Sequence, residues 1–519
     1  MSSRSADTRA LPARPDPDQL RRQAKELLRD WRRGDAAALT RAAPYRLPPP
    51  PRLAQAQLVI AREYGLASWA ALMEEVDRRR TAALDDDAFI ERVLSLALGR
   101  GYNAPKPQKA LALMQDRPGL RPAALLLVRG EAVEVAPDAR LPPWNAPPLA
   151  LVAFSSLASL PNAGHEPALL QAMDRLLAAG ADPNATLADP DSRDRPLPLL
   201  YGAVARAQSL PMVQRLLAAG ADPNDNESLY HAVEQTDRGI IAALVAAGAR
   251  WPGTNAFFRQ LDFDDLPGVQ QALDLGADAN ALSSSIGTRP LHHAVTRGRG
   301  LPFLQLLVAH GADVAALDGH GHSVAWHAAR AGRREVLAWL ATLGQRPPDD
   351  PRERFLAACA SADEAAARTE LAVDPKLIGR LPRHELALLP EQAQRGAIAS
   401  VRLMLALGWP VDAPGPWQAS ALNQAAFRGD EAMVALLLAH GARWHERNGY
   451  GGTALGSCLH SALNEPVAGG DYASVLLRLL DDGAPVPEES QLSDDLIDTL
   501  AEWIGERDQR PPPGGRTLR

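Results

Sequence analysis

An all-α solenoid of stacked helix–turn–helix units is predicted, on two observations. Nine times between residues 180 and 483, a leucine-rich helix pattern stops at a glycine followed by Ala-Asp, Ala-Arg or a close variant. The clearest copies are Leu176-Leu177-Ala178-Ala179-Gly180-Ala181-Asp182-Pro183-Asn184 and Leu216-Leu217-Ala218-Ala219-Gly220-Ala221-Asp222-Pro223-Asn224; others end at Gly248, Gly276, Gly311, Gly344, Gly408, Gly441 and Gly483. The steps between these glycines are 40, 28, 28, 35, 33, 64, 33 and 42 residues, the 64 being close to a double step. A period of about 33 residues marks an array in which each unit buries its apolar face only against its neighbours.

Taken in chain order, residues 1–15 are expected to be disordered and 16–80 to form a small helical region. Leu20, Gln23, Ala24, Leu27, Leu28 and Trp31 mark one helix, ending near Gly34. Pro48–Pro51 reads as a stiff polyproline spacer. Leu53–Tyr64 and Ser68–Val76 are two further helices, with Gly65 at the joint and Ser68 placed to cap the second. Across 85–147, the stretches Ala88–Leu98, Pro107–Gln115 and Ala123–Val135 have the look of degenerate helix pairs. The main array runs over 148–487 in about ten units, Phe355–Asp374 filling the long gap, and units 228–251 and 255–282 are expected to have shortened first helices. A capping helix is expected over 491–505, where Leu496, Ile497, Leu500, Trp503 and Ile504 share a face, followed by a disordered tail at 506–519.

The fullest unit shows why such a segment folds as it does. It runs Gly287-Thr288-Arg289-Pro290-Leu291-His292-His293-Ala294-Val295, then Gly298, then Phe303-Leu304-Gln305-Leu306-Leu307-Val308-Ala309-His310-Gly311-Ala312-Asp313. Pro290 suits a first helical position, where a missing N–H costs nothing. Small Ala294 permits close packing, Gly298 supplies the turn, and Phe303, Leu306 and Leu307 recur at helical spacing. Gly311 ends the second helix where a left-handed residue is often required. This unit resembles the ankyrin repeat, whose signature is Gly-x-Thr-Pro-Leu-His-x-Ala-Ala followed by Leu-Leu-x-x-Gly-Ala-Asp-x-Asn. Arg289 stands at the usual Thr, and in other copies Trp326 and Asn423 stand at the usual His. The segment Leu58–Trp69 resembles the helical leader that precedes many bacterial ankyrin arrays. The resemblance implies an all-α, ankyrin-like solenoid of helix-turn-helix repeats with short β-hairpin turns, recognising protein partners on a concave groove of hairpin tips and first helices.

Composition narrows the function further. The net charge is −7, yet residues 1–80 carry 16 basic against 10 acidic side chains, so the array itself is mildly acidic and nucleic acid is not its expected partner. The 51 arginines against four lysines point to a GC-rich, bacterial genome. Cys359 and Cys458 cannot build a disulfide framework and read as reduced thiols. With no apolar leader in residues 1–20 and no bilayer-length apolar run, a cytoplasmic, monomeric protein without membrane contact is expected.

No catalytic signature is present, so no enzyme and no cofactor are expected; Asp85-Asp86-Asp87, Asp349-Asp350 and Asp494-Asp495 read as acidic caps at element ends. His320, His322 and His327, with His292 and His293 one unit earlier, lack a matching ligand set at zinc spacing, and no metal is expected. Helices 53–79 have the outline of a DNA-binding helix–turn–helix, but Glu74, Glu75 and Asp77 would face phosphates badly; a DNA-associated regulator is the alternative function. Mapping the family's groove onto this chain implies partner contacts at Ile286, Thr288, Arg297, His320, His322, Arg330, Trp417, Phe427, Arg428 and Tyr450. Trp417, Phe427 and Arg428 are the strongest cluster expected. The predicted function is a non-catalytic protein-interaction scaffold, with neutralisation of one specific partner as a variant of that role.

Overall fold

The computed structural model describes residues 9–487 except 48, 50, 102, 162, 163, 189, 192 and 193, together with 492, 496, 499 and 500. The chain divides into two compact units, Asp77–Val324 and Met1–Val76 with Ala325–Arg519.

In Asp77–Val324, helices Asp86–Leu98, Pro107–Asp116 and Ala123–Val128 precede five helix pairs. Asp85 caps the first of these helices by accepting the Ala88 N–H. Helix Ala123–Val128 stops short of the expected Val135 because Gly130 turns left-handed (φ 78°), and a Cβ there would sit 2.4 Å from the Ala168 backbone. The pairs are Pro148–Ala153 with His165–Ala178, Leu199–Arg206 with Leu210–Ala218, Ser228–Ala232 with Gly239–Ala246, Ala256–Asp262 with Leu266–Asp274, and Pro290–Thr296 with Leu301–Ala309. First helices pack on first helices along the row, which is the stacking that the period implies. Pro290 opens its helix, and Leu291, Ala294, Val295, Phe303, Leu304 and Leu307 are buried; Leu304 takes the core position expected of Leu306, which is half-buried. Of the two first helices expected to be short, Ser228–Ala232 is, while Ala256–Asp262 matches Pro290–Thr296 in length.

The nine stop glycines all lie at φ between 76° and 100°. In each case the next residue's N–H reaches back to a carbonyl in the closing turn, as Ala221 does to Leu216 (2.9 Å) and Ala442 to Leu437 (3.1 Å). These are Schellman closures, which satisfy carbonyls that a helix end would otherwise leave open. The asparagine that follows joins neighbours. Asn184 donates to the Gly220 carbonyl (3.0 Å) and accepts the Asp222 N–H (2.8 Å). Asn224 does the same with Gly248 and Arg250, and Asn280 with Gly311 and Asp313. Each such bond contributes about 1 kcal/mol net, so the motif is a unit-to-unit rivet as well as a stop.

β-structure is sparse. Thr186–Leu187 pairs antiparallel with Leu197–Pro198, and isolated bridges join Arg100 to Asn103, Leu141 to Ala146 and Leu317 to Ser323.

In the other unit, helices Pro17–Arg32, Ala36–Ala42, Leu53–Glu63 and Trp69–Ala82 form the N-terminal part, and the Ser68 hydroxyl caps the last by accepting the Ala71 N–H. Helix Ala36–Ala42, capped by Asp35, was not predicted. Within the segment expected to be disordered, Leu11 is buried and the Arg9 N–H donates to the Glu63 carbonyl. The pairs here are Val324–Arg330 with Arg334–Thr342, Pro351–Ala360 with Glu364–Val373, Leu388–Gln394 with Ile398–Ala406, Ala421–Arg428 with Glu431–Ala439, and Ala454–Asn464 with Tyr472–Asp481. Pro351–Ala360 and Glu364–Val373 are the pair expected in the long gap, with Asp350 as the cap of the first. Short helices Leu377–Arg380 and Arg383–Leu386, not expected, bridge it to the next pair. Leu492, Leu496 and Leu500 are buried; most of the expected capping helix, with Ile497, Trp503 and Ile504, and the tail lie outside the described residues. No helix among the described residues is long and apolar enough to cross a membrane. The architecture is all-α and ankyrin-like in each unit.

Candidate protein-binding surface

The tips between pairs are built by a recurring polar device. The Asp318 carboxylate accepts the N–H groups of His320 (2.9 Å) and His322 (2.8 Å), while the Asp318 N–H donates to the His322 carbonyl (2.9 Å). Asn448 does the same with Tyr450 (3.0 Å) and Gly452 (2.9 Å), its own N–H donating to the Gly452 carbonyl (2.9 Å). Gly321 and Gly451 take the left-handed position in these turns. Each tip is also tied to the preceding one: the Gly319 N–H donates to the Gly287 carbonyl (2.7 Å), and the Gly449 N–H to the Trp417 carbonyl (2.6 Å). Such tying positions the backbone that carries the outermost side chains, His320 and Tyr450. Tyr450 is 80% exposed, Trp417 63%, Ile286 49% and Leu317 51%; His320 is exposed, and Thr288 and His322 are half-buried.

The arginines of the expected surface are engaged within the fold. Arg330 is only 11% exposed; it forms a two-pronged pair with Glu353 (3.0 and 3.1 Å), reaches Glu385 (3.4 Å) and lies over the Trp326 ring at 4.8 Å. It is a clamp between helices, not an open contact. Arg297 is exposed but bonded to Asp262 of the preceding pair (2.7 Å). Arg428 donates to the Gln394 carbonyl (3.1 Å) and covers Gly396, where an added Cβ would lie 3.0 Å from its Nη2. The half-buried Phe427 ring lies 6.5 Å from that of His460. The expected cluster is therefore dispersed: Trp417 stands at the tip, Phe427 faces the following pair and Arg428 the preceding one.

A polar ribbon along the ends of the first helices of Asp77–Val324 escaped the sequence reading. His231 bonds Glu234 (2.9 Å), Glu234 bonds Arg259 (2.8 Å), and the Arg259 guanidinium lies 4.8 Å from the Phe263 ring. His293 then bonds Asp262 (2.9 Å), alongside Arg297. Burial works to raise the Asp262 pKa, but the His293 hydrogen bond and the charges of Arg297 and Arg259 outweigh it and hold the carboxyl below its ordinary value. Burial is likewise outweighed at Glu234, by hydrogen bonds from His231 and Arg259. Recurrence of polar residues near the end of each first helix was the available signal. What hid it is that the bonds between successive helices, Glu234 to Arg259 and Asp262 to His293, join residues 25 and 31 positions apart.

The thiols are no site. Cys359 and Cys458 are buried, and burial pushes both up to about 12, so neither supplies a thiolate near neutrality.

Residues 287–319 match the ankyrin repeat family model. Over 49 residues the chain is 51% identical to the 2-5A-dependent ribonuclease of Mus musculus, a stretch that spans 9% of this chain and 6% of that protein. Among solved structures, the human ASB11 ankyrin repeat domain is 21% identical with a TM-score of 0.22, the match covering 46% of this chain and 100% of that one. The ankyrin repeat domain of Bcl-3, described as a unique member of the IkappaB protein family, is 23% identical with a TM-score of 0.19, covering 40% and 94%. The segment that matches the family model contains the Pro290 helix start, the Gly298 turn, the Gly311 stop and the riveted tip at Gly319. Residues 287–319 are thus similar to an ankyrin repeat, and helix pairs lie on either side of them.

Proposed function

We propose that this chain is a non-catalytic protein-interaction scaffold whose partner docks on the hairpin tips and the adjoining first helices. Ankyrin repeats in general mediate protein–protein contacts, which is the coarse role the matched segment supports. The carrying observation is the pair Trp417 and Tyr450, large aromatics exposed on neighbouring tips whose backbones are hydrogen-bonded to each other. Rigid, exposed aromatic side chains supply much contact area at small entropic cost, and interface energy concentrates in such residues. Ile286, Thr288, His320 and His322 form the equivalent tips of the other unit. Arg297, Arg330, Phe427 and Arg428 support these surfaces by fixing the first helices beneath them.

The test compares the full chain with its Trp417→Ala/Tyr450→Ala double variant, each immobilised for quantitative capture from a cell lysate. Recovery of bound protein is expected to fall about tenfold or more, as loss of an interface anchor does, with the melting temperature unchanged. Equal recovery by the two proteins would sink the proposal.

A further inference from the structure

Trp417 and Gln418 lie at φ 52° and 57°, in the left-handed region that bulky side chains seldom occupy. In the equivalent tip of Asp77–Val324 the same place is held by Gly287, at φ 62°. The equivalence rests on the backbone, since Gly319 bonds the Gly287 carbonyl as Gly449 bonds that of Trp417. A glycine therefore satisfies the turn without strain, whereas tryptophan holds a strained backbone and leaves most of its ring in solvent. Strain kept where packing does not require it points to a role outside the fold.

Beside these tips is a recess of about 430 Å³ lined by Arg383, Asp412, Gln418, Arg443, Glu446 and Arg447. Arg443 is neutralised by Asp412 (3.0 Å) and by Glu446. Arg383 and Arg447 are exposed, and among the described residues neither has a carboxylate partner; Arg447 donates only to the Gly451 carbonyl (2.6 Å). Three guanidinium groups against two carboxylates leave the recess positive in an array that is acidic overall. The planar fork of arginine matches a carboxylate with two parallel hydrogen bonds, so an arginine left without an acid is set to take one from outside.

We propose that this recess binds an acidic segment of the partner protein, its carboxylates pairing with Arg383 and Arg447 and a neighbouring apolar side chain resting on Trp417 and Tyr450. The proposal rests on the protein-recognition reading above and names the chemistry that the partner brings to it.

Fluorescence anisotropy on the full chain tests it with three labelled probes: a twelve-residue peptide of Glu-Leu-Gly repeats, its Gln-for-Glu counterpart, and an oligothymidylate of equal charge. The Glu peptide is expected to bind about tenfold tighter than the other two and to weaken as salt rises. Arg383→Ala/Arg447→Ala should lose about tenfold or more for that peptide, while Arg334→Ala, an exposed arginine of the same unit, stays near the wild type. Trp417→Gly should also weaken binding while leaving the melting temperature equal or higher, because it relieves the turn. Failure of the Glu peptide to bind at about 1 mM, equal binding of the Gln peptide, tighter binding of the oligothymidylate, or indifference to the arginine pair would each overturn the proposal. A drop in melting temperature for Trp417→Gly would make Trp417 a packing residue and remove it as the anchor. If Trp417→Ala/Tyr450→Ala abolishes lysate capture while the arginine pair proves irrelevant to the peptide, recognition at the tips stands and its acidic character falls.

Discussion

An L-residue forced into left-handed backbone costs about 1–2 kcal/mol, and glycine escapes that cost because it has no Cβ to collide with the following carbonyl. Two kinds of glycine in this chain use the freedom differently. At Gly408 (φ 92°) an added Cβ meets nothing within 4 Å, so only the backbone conformation demands glycine. At Gly332 (φ 67°) the same atom would lie 2.3 Å from the Ala360 carbonyl oxygen, so conformation and contact both demand it. Gly408→Ala is therefore expected to destabilise its unit by about 1–2 kcal/mol. Gly332→Ala should cost about 1–3 kcal/mol more, as overpacking does. Urea midpoints of the two variants check this, and equal shifts would mean that helix Pro351–Ala360 moves away without penalty. Gly408 is readable in the sequence as a stop, but the crowding at Gly332 is not readable, because Ala360 reaches it only when two pairs stack.

At the scale of the helix, the ribbon of His231, Glu234, Arg259, Asp262, His293 and Arg297 joins the ends of three successive first helices. Asp262 is held below its ordinary pKa when folded, so its contribution is fully present above the unfolded carboxylate value of about 4. That contribution is lost as the pH falls through the depressed folded value. Asp262→Asn should accordingly be less stable than the wild type at neutral pH, with the deficit shrinking as the pH is lowered towards 3. Urea unfolding at about pH 7 and pH 3 measures both deficits, and equal deficits would show that Asp262 acts through its shape and not its charge. Helix starts and stops were legible because capping is local: Pro290 at a helix start, Asp85 and Asp350 as caps, and Gly220 as a stop each act within a few residues of the chain. The ribbon was not, since no local rule ties Asp262 to His293.

On the scale of the whole chain, Cys359 and Cys458 both belong to the unit made of Met1–Val76 and Ala325–Arg519, and both are buried with thiols near 12. At neutral pH only about one thiol in 10⁵ is ionised at such a value, so a disulfide reagent should find neither. Both are expected to react when that unit unfolds, which makes thiol labelling a report on that unit alone, while far-ultraviolet circular dichroism follows both. Rapid labelling of either cysteine in native buffer would contradict the burial. Residue order alone determined the period, the helix pairs and their glycine stops, since propensity, capping and apolar spacing act over a few residues. It could not determine that Arg330 and Arg428 turn inward as clamps while Trp417 and Tyr450 stay outside. Those outcomes depend on which groups from neighbouring pairs arrive beside each side chain, and Glu353 reaches Arg330 only once the stack has formed.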